Sequence, residues 1–192
     1  MPGHDTAITD LAAKLLIAMP GMGDPRFVKS VIYLCAHSPE GAMGLIVNKP
    51  ATDIRFADLL EQLNIARSPE CGDIRIHHGG PVEHARGFVL HSSDYRSTHG
   101  TMRINDDTAM SATLDIVESI ANGTGPARAL FALGYSGWGP GQLDAEIADN
   151  AWIIADPTPD IVFDDDDAGK WTRALRTLGV DPLTLSSATG RA

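Results

Sequence analysis

The 192-residue sequence is poor in cysteine, in aromatic residues and in positive charge, and it contains no long hydrophobic run. Two cysteines, Cys35 and Cys71, are too few for a disulfide framework, and their scarcity fits a reducing cytoplasm. No stretch reaches the roughly 18–20 consecutive apolar residues that a membrane span needs. The opening MPGHDTAITD carries acids and no Lys or Arg, so a basic-then-apolar secretory leader is not expected. Lys and Arg number 15 against 25 Asp and Glu, a net charge of −10. Such a chain repels a polyanion unless its bases cluster, and Lys14, Arg26, Lys29, Lys49 and Arg55 are scattered singly along it. Direct nucleic-acid binding is therefore disfavoured, and the segment after Asp53 lacks the basic character of a recognition helix. The one charge block, DDDD at 164–167, reads as a solvated acidic loop, with a metal-ligand set as the lesser alternative.

Against these absences stands a chain that is 43% hydrophobic, enough for one sizeable core. No internal repeat or linker divides it, so residues 11–192 are expected to form one domain behind a loose tail, 1–10. LLIAMP (15–20) reads as a buried strand stopped by Pro20. VIYLCA (31–36) and MGLIVN (43–48) read as two more strands, joined through HSPEG as a hairpin. After Pro50 the apolar period lengthens to 3.6. Asp53 is expected to cap a helix with Phe56, Leu59, Leu60 and Leu63 on its apolar face. IRIHH (74–78) and GFVLHS (87–92) read as strands on either side of GGP, and TMRI (101–104) as a weaker one. Leu114, Val117 and Ile120 mark a second helical face that stops at Asn122 and Gly123. ARALFALGY (127–135) reads as a buried strand, QLDAEIAD (142–149) as a short helix and AWIIA (151–155) as a strand. Asp167 is expected to cap a last helix, with Trp171, Leu175 and Leu178 inward and Gly179 as its stop. Hairpin signals mixed with crossover signals point to an α+β fold with a mixed sheet.

The most chemistry-like stretch is GYSGWGPGQLDAEI (134–147). A phosphate-binding P-loop needs Lys-Ser/Thr after its last glycine, but Gln142 and Leu143 follow Gly141. A dinucleotide fingerprint needs G-x-G-x-x-G, and Gln142 holds the place of the last glycine. A nucleophile elbow needs G-x-S-x-G, but Trp138 stands where the second glycine must make room beside Ser136. What remains is a strand-to-helix turn with Gly141 at the N-cap and Asp144 in the first turn. Tyr135 and Trp138 combine large apolar faces with a polar handle. Free amides at the helix start can bind an anion or a carboxylate. Tyr135, Trp138 and Gln142 are accordingly ligand- or partner-binding candidates.

His77, His78, His84 and His91 fall close together, but their spacing across the GGP turn does not force ligands onto one face. Polar-surface or hydrogen-bonded roles are the stronger reading, and a metal is the weaker. His78 and His91 are the histidines carried forward as binding candidates. Cys35 and His37, two apart, are expected on one strand face, either as a thiolate–imidazole pair or as an inert buried thiol beside a histidine. In MPGMGDPRF (19–27), Asp24 can cap a short turn starting at Pro25. Arg26 is then either held by a carboxylate or aimed at a ligand, and the isolated Lys49 is expected near the same loop. No cofactor-binding set and no metal site are expected.

Taken in order, these stretches resemble the AlgH/YqgE family of small bacterial proteins. LLIAMPGMGDPRFVKSVIYLCAHSPEGAMGLIVNKP (15–50) looks like its signature. HGGPV (78–82) with GFVLHSS (87–93) is similar to a second block, and GYSGWGPGQLDAEIADNAWI (134–153) to a third. WTRALRTLGVDPLTLSSATGRA closes the chain in the same manner. The resemblance implies a cytoplasmic α+β protein with a mixed, bifurcated and partly barrel-like sheet flanked by helices. It implies no established activity and no catalytic residue. Members carry a transcriptional-regulator label through a link to alginate control, and they usually have alanine where this chain has Ser136. The expectation that follows is a non-enzymatic regulatory protein acting through a protein partner or a small ligand. An enzyme built on His78, His91, Cys35 and Arg26, and a direct DNA-binding regulator, are the alternatives.

Overall fold

Continuous apolar runs such as LLIA and VIYLC, buried along their length, build a sheet with two buried faces. The computed structural model describes residues 10–97 and 99–184. All but one residue of the expected tail, and the last eight residues of the closing block, lie outside them. Among the described residues nine strands form one sheet. They are β1 (Leu15–Ala18), β2 (Val31–Ser38), β3 (Gly41–Ile46), β4 (Ile76–His78), β5 (Val82–Ser92), β6 (Thr101–Arg103), β7 (Thr108–Ser111), β8 (Ala129–Trp138) and β9 (Trp152–Ala155). The order is β6-β7-β5-β8-β3-β2-β1-β9, with β4 added on β8. Every pairing is antiparallel except β4 with β8, so the sheet is mixed.

Tyr33 of β2 and Thr108 of β7 stand four strands apart in that order, roughly 19 Å on a flat sheet. Their hydroxyls nevertheless lie 2.5 Å apart. A tyrosine side chain cannot span a flat sheet of that width, so the sheet is strongly curled into a half-barrel. Tyr33, Leu45, Val47, Phe88, Leu90, Leu130 and Ala132 fill its hollow. The helices α4 (Pro159–Phe163) and α5 (Asp167–Thr177) contribute Ile161, Val162, Trp171 and Leu175 to the same cluster. The Trp171 indole N–H donates to the Ala18 carbonyl at 2.8 Å and ties α5 to β1. On the opposite face, α1 (Phe56–Gln62) and α2 (Leu114–Ala121) pack Phe56, Leu60, Ile116 and Ile120 against Val89 and Phe131. The short α3 (Gln142–Ala148) packs Leu143 beside Ile32, Leu34, Trp138 and Trp152.

The sheet bifurcates on β8. One edge of β8 pairs with β5 along most of its length. Its other edge pairs with β4 through Phe131, Ala132 and Leu133, then with β3 through Ser136, Gly137 and Trp138. The change of partner falls around Gly134, whose φ of +74° only glycine adopts readily. A Cβ on Gly80 would lie 2.2 Å from the Tyr135 backbone, and one on Gly79 2.3 Å from the Gly134 carbonyl oxygen. The glycine pair thus lays bare backbone against bare backbone at the fork.

Several expected boundaries are corrected. The helix start expected at Asp53 is at Arg55, because Asp58 folds back to accept from the Arg55 amide at 3.1 Å. Asp166, not Asp167, caps α5, its carboxylate accepting from Gly169 N at 3.1 Å. Leu63, Leu114 and Leu178, expected inward, are exposed at helix ends. The expected turn from Gly134 is strand as far as Trp138, because β3 supplies the partner. β7 and α4 arise from stretches not expected to be ordered elements. The expected Cys35–His37 face is broken by a bulge between Leu34 and Ala36. Cys35 packs in the hollow, while His37 turns to the other face and accepts from the Leu11 amide.

The acidic block is not a uniformly solvated loop either. Asp164 pairs with Arg173 at 3.0 Å, and Asp167 is buried. Both Asp167 oxygens lie 3.0 Å from His77 Nε2, which therefore carries the hydrogen. Lys170, fully buried, reaches Asp167 at 2.9 Å and donates to the carbonyls of Val47 and Val162. Burial works to raise the Asp167 carboxyl, but the hydrogen bonds from His77 and Lys170 outweigh it and hold the group below its ordinary value. A depressed carboxylate stabilises the fold above its unfolded-state pKa, about 3.9, and loses that contribution as pH falls through the folded-state value. Urea denaturation should therefore show stability falling below about pH 4. Asp167→Asn should cost about 3 kcal/mol at neutral pH by stranding the Lys170 charge, and should make the acid limb shallower.

Candidate functional site

The fork in the sheet gathers basic side chains from four separate segments. A short 3-10 turn, Pro25–Phe27, carries Arg26 and is capped by Asp24, whose carboxylate accepts from the Arg26 amide. Lys49 follows β3, His78 ends β4, and His84 lies in residues 83–86, which bulge out of β5 where its register with β8 shifts. The His78 amide donates to the Lys49 carbonyl at 2.8 Å, so these two are pinned together by backbone. Arg26, Lys49, His78 and His84 line one cavity of about 510 Å³, walled by Ile46, Gly80 and Pro81.

Most of the donors in this cavity are unspent. The Arg26 guanidinium gives Nε and Nη2 to Asp24, the closer contact being 2.7 Å, and leaves Nη1 without a protein partner. Lys49 Nζ donates once, to the Arg26 carbonyl at 2.7 Å. Burial lowers the Lys49 ammonium from its ordinary value, and the Asp24 charge opposes that shift. Hydrogen bonding and charge from Arg26 hold the Asp24 carboxyl below its ordinary value despite some desolvation. The arrangement presents several positive or N–H groups to one space, which suits holding an anion.

Other candidates lie elsewhere. Ser136 is fully buried and donates to the Gly79 carbonyl at 3.1 Å, as a tie across the fork. The Trp138 and Trp152 indoles both donate to Glu146 Oε2 at 2.9 Å. Gln142 bridges Glu146 and the Gly139 amide. Trp138 and Gln142 are thus engaged in a clamp that fastens α3 to the sheet. Tyr135 sits in a different groove with Met43, Arg86 and Phe88, its ring edge-on to Phe88 at 5.7 Å. His91 is fully buried. Its Nδ1–H donates to the Ser92 carbonyl and its Nε2 accepts from Ser111, both at 2.8 Å, while burial lowers its pKa. Cys35 faces the hollow and His91 the opposite face, and burial pushes the Cys35 thiol up to about 12.

A larger cavity of about 650 Å³ opens at the end of the half-barrel beside Lys14, Tyr33, Asp107, Arg128 and Asp156; its cations share the space with two acids, Lys14 pairing with Asp156, while Tyr33 is bonded to Thr108. Among the described residues no group of three or more His, Cys, Asp or Glu is placed to hold a metal. No helix among them is long and apolar enough to cross a membrane. His84 is a member of this basic cavity that the sequence does not single out as a binding candidate. The available signal was a second histidine just past a glycine turn, and its meaning depended on an unforeseen bulge.

Residues 15–183 match a family model described as AlgH-like. A UPF0301 protein of Cereibacter sphaeroides is 60% identical over 183 residues, covering 95% of this chain and 100% of the relative. One from Bradyrhizobium diazoefficiens is 53% identical over 198 residues, covering 100% of this chain and 92% of the relative. The solution structure of the AlgH protein from Pseudomonas aeruginosa superposes with a TM-score of 0.77 at 42% identity, covering 97% of each chain. The crystal structure of protein DIP2367 from Corynebacterium diphtheriae has a TM-score of 0.72 at 20% identity, over 92% of this chain and 91% of that one, and shares the fold.

Two outcomes test these assignments. Glu146→Ala removes the acceptor of two buried indoles and should cost about 2–3 kcal/mol, read by denaturation followed through tryptophan fluorescence. In the native protein a thiol reagent such as Ellman's should label Cys71 and spare Cys35, with Cys35 reacting only on unfolding.

Proposed function

Since the chain belongs to the AlgH-like family, we propose that it is a non-enzymatic regulatory protein of the cytoplasm. It acts through a small ligand or a protein partner engaged at the cavity of Arg26, Lys49, His78 and His84. The observation that carries this reading is the convergence of four basic side chains, with donors unspent, on a protein of net charge −10. Among the other candidates, Trp138, Gln142 and His91 spend their polar groups within the fold. The dispersal of Cys35 and His91 to opposite faces weighs against the enzymatic alternative, as does a thiol pushed up to about 12. The acidic surface supports an indirect role in regulation, without a grip on DNA.

Affinity capture from the native cytoplasm followed by native mass spectrometry tests the proposal. A reproducible ligand or partner should accompany the wild-type protein and be lost from the Lys49→Ala/His84→Ala variant. Retention by that variant would place binding elsewhere, and a salt-dependent gel shift with purified protein at sub-micromolar concentration would restore the DNA-binding reading.

A further inference from the structure

We propose that the anion held in this cavity is a phosphate monoester carried on a small organic molecule. The inference rests on the cavity being the binding site and goes further by naming the chemistry that it selects.

The argument turns on how the donors are distributed. A lone guanidinium grips a planar carboxylate through two parallel N–H bonds. Asp24 takes the Nε side of the Arg26 guanidinium, which leaves the outer edge formed by Nη1 and the second N–H of Nη2. That edge can engage two oxygens of any oxyanion, carboxylate or phosphate alike, so the discrimination rests on the other three groups. Lys49 adds the remaining N–H groups of its ammonium beyond the one given to the Arg26 carbonyl. The ring nitrogens of His78 and His84 make no hydrogen bond within the protein among the described residues, so each imidazole has an N–H to give. These four groups come from four segments of chain: the 3-10 turn, the stretch after β3, the end of β4 and the β5 bulge. They approach the cavity separately, and Lys49, His78 and His84 do so as point donors. An anion with several oxygens projecting in different directions satisfies such a set, whereas a carboxylate has only two, in one plane. The cavity, about 510 Å³, lies within the usual small-molecule range of about 300–1,000 Å³ and leaves space beyond the phosphate. Ile46 and Pro81 supply an apolar wall for an organic body.

Asp24 provides the discriminating test. Its carboxylate competes with an incoming anion for Arg26. Asn at this position keeps the side-chain oxygen that caps the turn and removes the competing charge. Backbone amide NMR titrations with inorganic phosphate and methyl phosphate, and with acetate at matched ionic strength, read the outcome directly. Both phosphates should shift Arg26, Lys49, His78, Gly80 and His84 together, and acetate should do so far more weakly. Asp24→Asn should tighten phosphate binding by roughly threefold, and Lys49→Gln should weaken it by about tenfold, each in a spectrum whose dispersion reports an intact fold. Equal response to acetate, shifts scattered over the surface, or indifference to Asp24→Asn would overturn the proposal. If the phosphate titrations fail while Lys49→Ala/His84→Ala still strips the captured ligand, only the phosphate assignment falls. If that double variant retains the captured ligand, the cavity itself is not the site.

Discussion

The architecture depends on three missing Cβ atoms. Gly79, Gly80 and Gly134 let two stretches of backbone meet at distances where a side chain would overlap main-chain atoms. That contact allows β8 to exchange one neighbour for another in mid-strand, so a single sheet carries β4 and β3 on the same edge. Ser136 closes the junction with its hydroxyl on the Gly79 carbonyl. The fork sets the geometry around it. It delivers His78 to the end of β4 beside Lys49, and the bulge at 83–86 brings His84 back to the same space.

Two further devices hold the curled sheet around its contents. Inside, the Tyr33–Thr108 hydrogen bond crosses the hollow between strands well separated in the sheet order. At one end, Lys170 is surrounded by Asp167 and two backbone carbonyls, so its charge is met although no water reaches it. An isolated ammonium there would be prohibitive, and the stability of α5 against the sheet therefore depends on Asp167 staying ionised. His77, the neighbour of His78, belongs to this buried network and leaves the cavity to His78. Adjacent histidines on one strand point to opposite faces, which is why one is structural and the other available.

The stretch that looked most like chemistry, GYSGWGPGQLDAEI, turns out to be mechanical. Its serine ties the fork, its tryptophan and glutamine are fastened through Glu146, and its αL glycine at position 141 starts α3. The basic cavity, by contrast, draws on residues that seemed unremarkable singly. The proximity of Lys49 to the Arg26 loop was legible from the short turn around Pro25, and the pair belongs to the cavity. His84 was not, because residues 83–86 leave the strand ladder and no local periodicity announces that departure.

The sequence by itself determined the class of fold, most of the strands and helices, and family membership, because short apolar runs, period-3.6 burial and glycine punctuation are local properties. It also determined the acidic balance that makes a basic cavity informative. Only the tertiary structure decided which single bases meet, which histidine is buried against Asp167 and which faces open space. It also decided that Cys35 and His37 part company at a bulge. Those outcomes depend on strand pairing between residues far apart in the chain, where one residue of register reverses a side chain's face.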